Sequence, residues 1–232
     1  MQSSCVIFSE WLAVGGSGSN EIADSAIAWC KIFENQEAET QKELMPAFTR
    51  LAIQLCKTVQ DFSLLHHILV CCNETANEDE IPPAHKALVS LLSTRGSLGP
   101  AIVTRTVECV LEAAYTFTAR ENFPKVFELP TSTETVWPAD KGCIVSALNA
   151  ILSNKHASLE LGKRLVANFS ESADKSPVSA LFNAKCLWML CDPSTSKSAA
   201  EVVHIVRQLD TNNMESESEL RGVIEDLLDA LA

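Results

Sequence analysis

The nineteen residues from Gly99 to Phe117 limit what this chain can fold into more than any other stretch. Pro100 suits a first helical position, where no N–H partner is required and the ring presets φ. Ile102, Val103, Val107, Val110, Leu111, Ala114 and Phe117 recur at helical spacing, and Thr106, Cys109 and Ala113 widen the apolar stripe. Charge is confined to Arg105, Glu108 and Glu112. A helix apolar over that much of its circumference needs neighbours on more than one side. The spacing therefore predicts an inner helix of a layered all-α domain.

Composition agrees with helices throughout. Hydrophobic residues make up 47% of the 232 but aromatics only 6%, so the core must come from aliphatic helix faces, and eight glycines are few for a turn-rich β fold. The length suffices for one sizeable core or an extended stack of helices. A net charge of −12 excludes a surface that tracks nucleic acid or an anionic membrane everywhere, because neutralising phosphates needs Lys and Arg in excess. The charge is uneven. Residues 1–140 hold 9 basic and 18 acidic side chains, residues 141–207 hold 8 and 5, and residues 208–232 hold 1 and 7, so a block of net charge +3 lies between two acidic flanks.

Taken in order, the chain alternates amphipathic runs with short breaks. Residues 3–14 read as a helix ended by Gly15-Gly16, and Asn20 caps a second with Ile22, Ala26, Trp29, Cys30 and Phe33 on one face. A third runs from Glu37 to Val59 with Pro46 inside it, marking a kink or the start of the apolar part. Asp61 begins a fourth, and Pro82-Pro83 opens a fifth that stops at Gly96. After the Gly99 helix, residues 120–138 contain three prolines and a Thr/Ser cluster, and read as an irregular loop between two helical halves. Further helices are expected from Asp140, over residues 158–169, 177–191 and 198–209, and from residue 216 to the end. The total is about eleven helices in antiparallel pairs, within a single all-α domain spanning residues 1–232. The first helix begins within a few residues of Met1, which fits a chain that is the C-terminal part of a longer protein.

Successive helix pairs spaced near forty residues resemble armadillo or HEAT α-solenoids over most of the length. That resemblance rests on helix length and pairing, with no residue signature at fixed offsets; an irregular helical bundle is the alternative architecture. It implies a concave or lateral surface for partners instead of a catalytic pocket.

Candidate chemistry is sparse. The nine cysteines are odd in number and set in apolar helical runs, so they read as small hydrophobes in a reducing compartment. No basic and apolar signal pattern opens the chain and no apolar run reaches a membrane span, which places the protein inside the cell, in cytoplasm or nucleus. His67 and Cys71 are four apart, but a lone pair is weak beside the two paired sets of a zinc site. Residues 15–18, Gly-Gly-Ser-Gly, follow a helix and lack the lysine of a phosphate loop. We therefore expect no catalytic residue, metal or cofactor, and a non-enzymatic scaffold or adaptor domain binding one or more proteins in a larger complex, without membrane contact. The candidate partner-binding residues are Phe123, Phe127 and Trp137 of the irregular loop, with Lys155, Lys163, Arg164 and Lys185 of the basic block. The alternative is a subunit of a nucleic-acid-handling complex, for example in DNA repair or on chromosomes, touching phosphates through residues 141–207.

Overall fold

A computed structural model describes residues 35–71, 83–118, 142–170, 177–209 and 219–232, together with Ser25, Ala28 and Ile32. The described residues form nine helices and no strands. The first two helices expected from the sequence lie largely outside the described residues, as does the whole of the expected loop over residues 120–138. The chain divides into two compact units: Met1–Ala114 with Ala139–Ala150, and Tyr115–Pro138 with Ile151–Ala232.

In the first unit, α1 (Ala38–Thr58) packs on α2 (Ser63–Cys71) and on α3 (Pro83–Leu92). Leu44, Phe48, Leu51, Leu55 and Cys56 line the inner side of α1 at helical spacing. Pro46 stands within α1 and is exposed, so its ring, which cannot donate to the carbonyl one turn back, is kept out of the core. Gln60, with φ of 55°, breaks the chain between α1 and α2. The carboxylate of Asp61 then accepts from the Ser63 amide at 2.8 Å and opens α2. Lys57 donates to Ser90 Oγ at 3.0 Å, tying α1 to α3.

The turn into α4 (Gly99–Thr118) requires glycine twice. Gly96 has φ of 93°, and a Cβ on Gly99 would stand 2.6 Å from the Thr94 carbonyl oxygen. Along α4, Ile102, Val103, Thr106, Val107, Cys109, Val110, Leu111, Ala113 and Ala114 are all buried, as the width of the stripe predicted. Arg105 lies over the Phe62 ring, 5.9 Å from its centroid. The Cys109 thiol points at the Phe62 carbonyl, 3.8 Å away. Next comes α5 (Gly142–Leu152), with Ala147, Leu148, Ala150, Ile151 and Leu152 buried.

The second unit is organised around α7 (Pro177–Cys191), whose apolar residues run round its whole circumference. It is touched by α6 (Lys155–Ser170), by α8 (Ala199–Val206) and by α9 (Glu219–Ala230). Every side chain from Phe182 to Leu187 is buried. Its polar member Asn183 is matched by Tyr115, which donates to Asn183 Oδ1 at 2.7 Å and accepts from Asn168 Nδ2 at 3.1 Å. The Tyr115 ring meets Phe182 edge to face, 6.1 Å between centroids.

The contact between α6 and α8 is close because Gly162 has no side chain. A Cβ there would come within 2.9 Å of Val202 Cγ2. Beside it the buried hydroxyls of Ser158 and Ser198 share a hydrogen bond of 2.6 Å. Gly162→Val is expected to destabilise the protein by about 1–3 kcal/mol in urea denaturation, as overpacking does, and Val202→Ala in the same chain should recover part of the loss. Full additivity of the two changes would contradict this packing. Tyr115→Phe removes the donor from a carbonyl oxygen on a residue 2% exposed, and its expected cost is about 1–3 kcal/mol in the same measurement.

Candidate interaction surface

The basic block of the sequence maps mainly onto α6 and its surroundings. Asn154 caps this helix, its Oδ1 accepting from the Ala157 amide at 3.0 Å. That capping starts α6 three residues before the Ser158 expected from hydrophobic spacing, and brings Lys155 and His156 into the first turn. Both are exposed. The Lys155 ammonium reaches across to Glu201 on α8, with Nζ 2.5 Å from Oε1. This hydrogen bond, then one from the backbone and last the ammonium's charge, hold the Glu201 carboxyl below the usual carboxylate range.

The other candidates fall in different settings. Arg164 is partly buried and pairs with Glu160 one turn back, Nε to Oε1 at 3.3 Å. Lys163 is exposed on α6, and Lys197 is exposed in the segment before α8, where its backbone amide donates to the Leu152 carbonyl at 3.2 Å. Lys185 is only 8% exposed and sits in the inner helix α7, away from any surface strip. Phe123, Phe127 and Trp137 lie outside the described residues. The surface of α6 thus mixes signs, with Lys155 and Arg164 set against carboxylates and Lys163 left as its outward-facing cation. Surface pairs of this kind are weak and screened by salt, so they leave the side chains able to exchange partners.

The thiols of Cys56, Cys109, Cys186 and Cys191 are free and buried. Burial pushes Cys109 from the ordinary 9.0 up to about 12, with the charge of Glu112 adding to it. Burial likewise raises Cys191 to about 12, and pushes Cys56 and Cys186 up strongly. A thiol held in its protonated form is a poor nucleophile and a poor metal ligand. Among the described residues no three His, Cys, Asp or Glu side chains converge as a metal ion requires. Nor is any helix among them long and apolar enough to cross a membrane.

Two features escaped sequence reasoning. One is the close α6–α8 contact at Gly162, whose signal was a lone glycine inside an amphipathic run. The other is the Tyr115, Asn168 and Asn183 network, whose members are 53 and 68 residues apart and leave no local trace. Comparison with family models, curated proteins and solved structures finds no match for this chain.

An uncharged maleimide at pH 8 is expected to leave Cys56, Cys109, Cys186 and Cys191 unmodified in the native protein and to label all four in urea. Rapid native labelling at any of them would contradict their burial. The pH dependence has a definite sign. In the folded state Cys109 and Cys191 stay protonated up to about 12, whereas in the unfolded chain they ionise near 9.0. The unfolded state therefore binds fewer protons between those values. The stabilisation is complete below about pH 9 and is lost as pH rises towards about 12, which urea titrations at stepped pH would record.

Proposed function

We propose that this chain is a non-enzymatic protein–protein interaction domain, built as an α-solenoid and working inside the cell as part of a larger assembly. The observation that carries the reading is the placement of its reactive groups. The thiols of Cys56, Cys109, Cys186 and Cys191 and the Ser158–Ser198 hydroxyl pair are in the interior, while the outward faces of the helices carry mixed charge. Free buried thiols also suit a reducing compartment.

The solenoid reading draws support from which helices touch. The most extensive contacts join α1 to α2 and α3, α6 to α7 and α8, and α7 to α8 and α9. In each of these pairs a helix meets the next or the next but one, which is the habit of stacked helix pairs. The partner surface we infer is the outer side of α6 with Lys155, Lys163 and Arg164, meeting an acidic or mixed-charge protein face. The nucleic-acid alternative has less support. Phosphate tracking needs a row of available cations, whereas Lys185 is buried and Lys155 and Arg164 already face carboxylates.

Crosslinking mass spectrometry on complexes recovered from cell extract is the direct test, with crosslinks from Lys155 and Lys163 to one protein expected. Lys163→Glu should reduce that recovery several-fold at low salt and less at high salt, with an unchanged unfolding midpoint. Turnover traced to a single Cys or His, with no protein partner recovered, would overturn the reading. For the architecture, a chain ending at residue 209 should lose the helical circular dichroism due to the 12 residues of α9 and part of that of α7, which α9 packs on, while the helices of the first unit keep theirs. Collapse of the whole signal would indicate a bundle.

A further inference from the structure

We draw no further inference here: the strongest candidate, the exposed apolar surface at Val89 on α3 and at Leu98 in the turn before α4, carries nothing because nothing in the structure shows what covers either side chain.

Discussion

The second unit depends on one physical constraint: a helix with apolar residues on every side has no face to give to water. For α7 the demand is met by contacts with α6, α8 and α9. The same burial imposes a second requirement, since a polar group taken into such an interior must find a partner there. Asn183 finds one in the Tyr115 hydroxyl, which is held in turn by Asn168. Removing water from around α7 and satisfying Asn183 are thus parts of the same event, and the hydrogen bonds add direction to an otherwise nonspecific attraction. Dispersion and burial pull the helices together; the phenol and two amides select one arrangement.

Much of the local structure was legible in the sequence. The helix at Gly99 begins and runs as its proline and wide apolar stripe indicate, and Pro177 and Cys191 bound α7 as the reading from 177 to 191 expected. Boundaries failed where a polar side chain decides them. Asn154 starts α6 earlier than apolar spacing indicates, because capping is set by one side-chain oxygen and not by periodicity. Residues 198–209 were expected to form a helix, but the regular part is Ala199–Val206. Burial inside α7 was less legible. Lys185 reads as a surface cation by type, and only the helices around α7 put it inside.

Less of the candidate surface was readable, for a physical reason. A count of basic residues along the chain says nothing about the carboxylates that tertiary structure places beside them. Glu160 could be anticipated one turn from Arg164, because positions four apart are neighbours on a helix. Glu201 is 46 residues from Lys155 and meets it only through the close approach of α6 and α8 at Gly162. The absence of a side chain at one position therefore changes the electrostatics at another, by letting two helices come near enough for their outer charges to pair.

The pattern of helix contacts also bears on how the chain acquires its structure. When a helix packs mainly on the next or the next but one, its partners leave the ribosome within a few tens of residues of it. Loop closure over such distances is fast and costs little entropy. Consolidation can then follow elongation, one helix after another, without a long wait for a distant segment. The reach from Tyr115 to Asn183 is longer. It stays open until 68 more residues have been made, so this small polar network closes later than the contacts of α1 with α2 and α3.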